Sequence, residues 1–235
     1  MEGTPGYFRN ATAIARRVQS LLPNAKLVLA LRNPAEMAVS IFTNDQGRGK
    51  IHFDSCGQWF KETARAQDLQ ACLGMRPHPL KAGAHAKTRS AWTAAYAKHA
   101  ACIEAVAATN TNALAAGYYG ALLFQWRLQF PRGQFVLINS EQMFENATLT
   151  MNEVFAQIGL RAYRGSESKN LGVVNKTPNR GVQEIAKQSC MAGDTMDRIN
   201  SYFHSARQDL FVVLREQMGF SEQMVETWKS RWHHQ

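Results

Sequence analysis

Apolar residues along this chain fall into two short continuous runs and several longer stretches with helical spacing. The runs cover residues 26–31 and 134–139, and each is long enough for a buried strand but too short for a helix. Each run is followed by a polar turn and then by helical spacing, over residues 35–43 and 147–158. Two copies of a strand followed by a helix predict an α/β protein with mostly parallel strands.

The remaining pattern is mainly helical. The spacing predicts a helix over residues 10–22, with Leu21 and Leu22 among its buried positions. Gly159 predicts the end of the helix over residues 147–158. Further helices are predicted over residues 53–73, 91–108 and 112–130, with one or two more between 194 and 218.

The turn after the first run, Arg32-Asn33-Pro34, carries candidate chemistry. Asn33 is a favourable N-cap, and Pro34 suits a first helical position because no N–H is needed there. Such a turn presents free backbone N–H groups and the positive end of a helix, which suits an anion. Arg32 adds a fixed charge and Ser40 a hydroxyl. The alternative is an ordinary strand-to-helix junction with a solvated arginine.

The bulk composition describes one basic domain of ordinary size. The 235 residues carry a formal net charge of +9, and 45% of them are apolar. A basic surface favours polyanions such as nucleic acids, sulfated glycans or phosphorylated cosubstrates. No nucleic-acid-binding motif is present, and no apolar run reaches the roughly 20 residues that span a bilayer. No signal peptide is recognisable, and the chain begins as though already inside a domain, which suggests a fragment.

The cysteines and histidines do not predict a metal site. Four widely spaced cysteines, without a C-x-x-C motif, are compatible with disulfides or with buried thiols. His78, His85 and His99 have no suitably spaced carboxylate or cysteine, and we expect them at the surface. Three N-x-Thr sequons, at Asn10, Asn146 and Asn175, weakly favour a secretory compartment.

Around Arg32 the sequence resembles sulfotransferases that use 3′-phosphoadenosine 5′-phosphosulfate (PAPS). In that family a strand ends in Arg-Asn-Pro or Arg-Asp-Pro, and a serine lies two turns into the next helix. Arg32 and Ser40 match these positions, so the resemblance implies that both contact the 3′-phosphate. The opening Glu-x-Thr-Pro-x-Tyr-Phe segment is similar to one in Golgi carbohydrate sulfotransferases, although Gly3 stands where several of those enzymes have a lysine.

The second strand and its flanking helices extend the resemblance over nearly the whole chain. The matching positions, with the tryptophan shifted by one place, are Gly117, Tyr118, Leu122, Trp126, Phe130, Pro131, 135–139, Glu141, Gly159 and Leu160. The pattern is nearest the N-acetylgalactosamine 4-sulfate 6-O-sulfotransferase type. Cys56 and Cys72 also lie where that group has a cysteine pair. The implied fold is a three-layer sulfotransferase fold, like that of P-loop NTPases, with a short and mostly parallel sheet.

The resemblance also implies further cosubstrate contacts and two functional segments. Residues 166–181 match a loop that covers the adenosine and 3′-phosphate, and the candidate contacts there are Lys176, Thr177, Arg180 and Gly181. Tyr118 matches a helix start near the nucleotide, although a core tyrosine explains it as well. Residues 75–89, rich in basic residues and interrupted by proline, are expected to form a surface loop or lid.

The implied activity is transfer of a sulfuryl group from PAPS, a cosubstrate rather than a bound cofactor, to a carbohydrate such as a glycosaminoglycan. The implied location is the Golgi lumen, with a membrane anchor in a full-length form but no membrane span here, and no nucleic-acid partner is expected. The family's 5′-phosphosulfate loop and its catalytic lysine have no counterpart in residues 1–235, which suggests a single domain truncated at its N-terminus. Two alternatives follow. One is an inactive fragment that binds an adenosine phosphate or sulfated glycan, and the other is a basic polyanion-binding module.

Overall fold

The computed structural model describes residues 5–78, 85–109, 113–162 and 180–233. These residues form thirteen α-helices, two parallel strands and two short 3-10 helices, at Ala113–Gly117 and Arg132–Gln134. In chain order the helices and strands are α1 (Pro5–Arg9), α2 (Ala11–Leu21), β1 (Leu27–Leu31), α3 (Pro34–Gly47), α4 (Cys56–Ala64), α5 (Gln67–Gly74), α6 (Ala86–Ala108), α7 (Tyr119–Arg127), β2 (Phe135–Asn139), α8 (Ser140–Glu145), α9 (Ala147–Gln157), α10 (Arg180–Met191), α11 (Thr195–Tyr202), α12 (His204–Glu216) and α13 (Glu222–His233).

The sheet of the described residues consists of β1 and β2. They run parallel, with Leu27 opposite Phe135 and Leu31 opposite Asn139. Both carboxyl ends therefore lie at one edge of the sheet, where α3 and α8 begin. The α/β prediction with parallel strands is confirmed, within a chain that is mostly helical.

The expectation that β1 is fully buried is wrong. Val28 is 43% exposed, whereas its neighbour across the sheet, Val136, is buried. Val136 and Ile138 pack with Val154 of α9. Because α9 covers this face over β2 but leaves Val28 open, the two strands differ in burial although their composition is similar.

The main hydrophobic core surrounds α7. Every residue from Tyr119 to Trp126 is buried, including the polar Gln125, so α7 is enclosed on all sides and lies at the centre of the helical part. It packs against α6 and α12. A Cβ atom at Gly120 would lie 2.8 Å from the backbone nitrogen of Leu210, so only glycine allows this approach.

Several predicted helices have different bounds. The stretch 112–130 is broken at Tyr118, whose ψ of 57° is not helical, so a 3-10 helix precedes α7 there. The stretch 53–73 forms two helices, α4 and α5. The helix predicted over 91–108 already begins at Ala86 and includes the end of the expected 75–89 loop; residues 79–84 lie outside the described residues. The helix end before Gly159, whose φ is +77°, is confirmed.

The burial of α2 was only partly predicted. Its buried positions are Ala11 and Ala15. Leu21 and Leu22 are 77% and 61% exposed, so their expected burial is wrong. The helix ends at Leu21, before its apolar stripe can bring these two side chains onto the core.

All four cysteines form disulfides, which join Cys56 to Cys190 and Cys72 to Cys102. Cys56 and Cys72 therefore do not form the pair that the family resemblance implied. The first bond connects α4 to α10 across 134 residues, and the second connects α5 to α6 across 30. The fold brings each of these cysteines beside a helix that is remote in sequence.

Candidate functional site

The junction between β1 and α3 has the predicted local structure. Asn33 caps α3 by accepting a hydrogen bond from the backbone N–H of Ala35 at 3.0 Å, and Pro34 occupies the first helical position. Asn33 is 1% exposed. The predicted turn after the strand is confirmed, and it lies at the edge of the sheet where both strands end.

A buried carboxylate connects this junction to the second strand and to the last helix. Glu141, which is 3% exposed, accepts from the backbone N–H of Asn33 at 2.8 Å. Its other carboxylate oxygen accepts from the indole N–H of Trp232 at 2.7 Å. The Asn33 side-chain amide donates to the carbonyl of Trp232 at 3.2 Å. Glu141 thus holds three separate parts of the chain together.

These contacts correct one expectation about anion binding. The backbone N–H groups of Asn33 and Ala35 already have intramolecular acceptors, so they are not free to receive an anion. These two backbone positions therefore do not bind an anion. Glu141 belongs to the family pattern, but its role is not predictable from neighbouring residues, because its partners lie 108 and 91 residues away.

Glu36 lies between the two predicted phosphate-binding residues, Arg32 and Ser40. Arg32 follows β1 directly and precedes α3, and its guanidinium contacts the Glu36 carboxylate at 3.2 Å. Glu36 and Ser40 are one helical turn apart on the same face of α3. The Arg32 side chain is 35% exposed, and Ser40 is exposed.

Helix α8 supplies an aromatic neighbour of Arg32 and a carboxylate for a second arginine. The guanidinium carbon of Arg32 lies 5.7 Å from the centre of the Phe144 ring, a distance typical of a cation–π contact. The next residue, Glu145, forms an ion pair with Arg231 of α13. Arg32 and Arg231 are thus each paired with a carboxylate, which a phosphate bound by either arginine would have to replace or share.

Tyr118 is located in the core. It is 2% exposed, and its ring packs near Tyr202 and Phe203, at centroid distances of 6.3 and 5.9 Å. Burial raises the pKa of its phenol. Tyr118 is a core residue at the break before α7. Because it is buried, it does not contact a ligand directly.

The predicted loop over residues 166–181 is only partly described. Lys176 and Thr177 lie outside the described residues. Arg180 and Gly181 begin α10, so these two positions are helical and the predicted loop boundary is wrong. The amphipathic pattern of α10 starts here, and Cys190 near its end is bonded to Cys56.

A second charged cluster is deeply buried between α5, α6 and α12. Arg76 donates two hydrogen bonds to Asp209, both at 2.7 Å. His99 is 0% exposed, and its Nδ1 lies 2.9 Å from the carbonyl oxygen of Cys72. The expectation that His99 is a surface residue is therefore wrong. Burial is the main influence on both titrating groups, lowering the pKa of His99 and raising that of Asp209.

The described residues contain no cluster of histidine, cysteine, aspartate or glutamate that is suited to a metal ion. Among those residues, no helix combines the length and apolar character needed to cross a membrane.

Comparison with known families identifies the class of protein. The model of the sulfotransferase domain matches residues 15–233, which is most of the chain. The chain therefore belongs to the sulfotransferase domain family, a family of transferases that move sulfuryl groups. A search of curated proteins finds no matching relative.

Proposed function

We propose that this protein transfers a sulfuryl group from PAPS to a hydroxyl group of a carbohydrate, with a glycosaminoglycan-like polymer as the acceptor. The observation that carries the proposal is the arrangement of Arg32, directly before α3, and Ser40, on α3, at the carboxyl edge of a parallel sheet. Ligands of open α/β sheets bind at that edge. The particular activity that we propose is that of the N-acetylgalactosamine 4-sulfate 6-O-sulfotransferase type.

The side chains at this edge fit the 3′-phosphate of PAPS better than the backbone does. The Arg32 guanidinium is planar and can donate two parallel hydrogen bonds to a phosphate. The exposed residue Ser40 adds a hydroxyl further along the chain, on α3. Because Asn33 and Ala35 use their N–H groups within the protein, we assign the 3′-phosphate to Arg32 and Ser40.

The adenosine side of the site is assigned from the family resemblance. Lys176, Thr177, Arg180 and Gly181 are the proposed residues. Arg180 and Gly181 begin α10. Tyr118 is left out of the direct contacts because it is buried. We assign no catalytic base. The proposal does not fix the position of the reacting hydroxyl, so no exposed residue among those described can be matched to it.

The carbohydrate acceptor and the location are supported by charge and by the disulfides. A net charge of +9 favours an acidic polymer over a neutral small molecule. Two disulfides that use every cysteine are typical of proteins from oxidising compartments. The disulfides support an oxidising compartment such as the Golgi lumen, which we include in the proposal.

Binding of adenosine 3′,5′-bisphosphate, measured by calorimetry, tests the cosubstrate assignment. We expect Arg32→Ala to weaken binding about ten- to a hundredfold, because a hydrogen bond to a charged group is lost, and Ser40→Ala to weaken it less. The control is Arg198→Ala on α11, which removes an exposed arginine in a similar pair with Asp194 and should leave binding unchanged.

The same measurement separates the proposal from a polyanion-binding module. A module of that kind would bind DNA or RNA tightly and would not distinguish Arg32 from Arg198. If the bisphosphate does not bind while a nucleic acid does, the sulfotransferase assignment of this site is wrong.

A further inference from the structure

The proposed sulfuryl transfer makes no use of the three Asn-x-Thr sequons, and the structure describes two of them, at Asn10 and Asn146. The third, at Asn175, lies outside the described residues. A triplet of this kind accepts an N-linked glycan where it lies at the surface of a secreted protein. The two described sequons differ in their exposure and in their hydrogen bonds, so the structure distinguishes between them.

The sequon at Asn10 is attached to the protein interior. Asn10 is half-buried, and the next residue, Ala11, is 0% exposed. The Thr12 hydroxyl donates to the Glu104 carboxylate at 2.6 Å, and the backbone N–H of Thr12 donates to its other oxygen. Glu104 is 6% exposed. A glycan on Asn10 would therefore have to fit beside a buried contact that connects α2 to α6.

The sequon at Asn146 lies at the surface. Asn146 is exposed and is the single residue between α8 and α9. The residues around it are open to solvent as well: the Glu145 side chain is 60% exposed, Phe144 is 64% exposed and Leu149 is 52% exposed. A glycan attached to Asn146 can therefore extend away from the protein without displacing a packed side chain.

The two polar atoms of the Asn146 side chain have different roles. Its Oδ1 accepts from the backbone N–H of Leu149 at 3.0 Å, which caps α9. Its Nδ2 has no acceptor among the described residues. An N-linked glycan is attached to the amide nitrogen, and the carbonyl oxygen of the amide remains an acceptor. Glycosylation of Asn146 is therefore compatible with the helix cap.

We propose that the folded protein carries an N-linked glycan on Asn146 and none on Asn10. The donor is an oligosaccharide linked to a lipid diphosphate. The bond between the anomeric carbon and Asn146 Nδ2 forms, the bond between that carbon and the diphosphate oxygen breaks, and the amide nitrogen loses one proton to solvent. The inference rests on the proposed location, because proteins of the Golgi lumen pass through the compartment where this transfer occurs. The glycan would cover the exposed apolar side chains of Phe144 and Leu149.

Site-resolved mass spectrometry of the full chain, secreted from cultured eukaryotic cells behind a signal peptide, tests this inference. The folded protein is treated with peptide-N-glycosidase in heavy-oxygen water, which converts each glycosylated asparagine to a labelled aspartate. We expect the label at Asn146 without prior denaturation, because Asn146 is exposed, and no label at Asn10. Thr148→Ala should abolish the label, whereas Thr148→Ser should retain it, and both variants keep Asn146 as the cap. The matched control is Asn10→Gln, at a side chain that makes no capping hydrogen bond, and it should leave the label at Asn146 unchanged.

Absence of the label from Asn146, or equal labelling of Asn10 and Asn146, would overturn the inference. Binding of adenosine 3′,5′-bisphosphate is measured on the same samples. If the bisphosphate binds and Asn146 is unmodified, the inference is wrong while the proposed sulfuryl transfer stands. If Asn146 alone of the two is modified and the bisphosphate does not bind, the glycosylation site stands and the cosubstrate assignment does not. If Asn146 is unmodified and the bisphosphate does not bind, both proposals are wrong.

Discussion

Two arginine–carboxylate pairs in this protein have the same chemistry and different surroundings. Arg76 and Asp209 form two hydrogen bonds of 2.7 Å, with side chains that are only 20% and 5% exposed. Arg32 contacts Glu36 through one pair of atoms at 3.2 Å, with side chains that are 35% and 18% exposed. The first pair connects segments 133 residues apart, whereas the second is local.

The difference indicates what each arginine can do. Asp209 is buried, so removing Arg76 leaves its carboxylate in the protein interior without its bidentate partner. The Arg32 pair is partly hydrated and contributes little to folding. Because a pair of this kind is weak, Arg32 can exchange a carboxylate for a phosphate, which is the role proposed for it here.

The largest expected effect comes from breaking the buried pair. Arg76→Ala leaves the Asp209 carboxylate without its cation in the core, and we expect a loss of about 3–5 kcal/mol in the free energy of unfolding. Chemical denaturation followed by circular dichroism measures it. Replacing both residues together, with Arg76→Met and Asp209→Leu, should recover much of the loss. A destabilisation below about 1 kcal/mol in the single variant would contradict the comparison, because this is the range of exposed pairs.

The next effect concerns Glu141, which supports the region around Arg32. Glu141→Ala removes the acceptor of two buried N–H groups, on Asn33 and Trp232. We expect a loss of about 2–4 kcal/mol, since each unsatisfied buried donor costs about 1–3 kcal/mol. Glu153→Ala, at a residue exposed on α9, is the control and should change stability little. Equal stability of the two variants would show that Glu141 does not hold the junction.

The local structure at Arg32 was predictable, and the long-range contacts around it were not. An apolar run followed by Asn33-Pro34 predicts a strand, an N-cap and a helix from neighbouring residues alone. The bridge from Glu141 to Trp232 depends on residues 91 positions apart, and no local pattern encodes it. Four cysteines allow three pairings, so the bonds of Cys56 and Cys72 required the fold. Burial of His99 likewise depends on packing between α6 and residues from α5 and α12.

A smaller effect should appear in the pH dependence of stability. Because burial lowers the pKa of His99 below its ordinary 6.5, the unfolded chain binds its proton more readily than the folded protein does. Stability is therefore fully present above pH 6.5 and falls as the pH decreases towards the folded pKa. The slope cannot exceed about 1.4 kcal/mol per pH unit for one group.

Comparison of the wild type with His99→Gln at pH 7.5 and 5.5 measures this contribution. The wild type should lose more stability over this interval than the variant does. Asp209, whose pKa is raised by burial, acts in the opposite direction and is present in both proteins. His52→Gln, at an exposed histidine, serves as the control. If His99→Gln shows the same pH dependence as the wild type, His99 titrates as it does in the unfolded chain.

The smallest effect on stability is expected at Arg32, the partly exposed arginine of the two compared above. Arg32→Ala removes the partly hydrated contact with Glu36 and the cation–π contact with Phe144. Local ion pairs contribute about 0.2–0.5 kcal/mol and exposed cation–π contacts about 0.5–1 kcal/mol. The free energy of unfolding should therefore change by less than about 1.5 kcal/mol. In the same preparation, binding of adenosine 3′,5′-bisphosphate should be strongly weakened. A loss of stability as large as that of Arg76→Ala would instead make Arg32 a structural residue, because weakened binding could then reflect unfolding rather than a lost contact with phosphate.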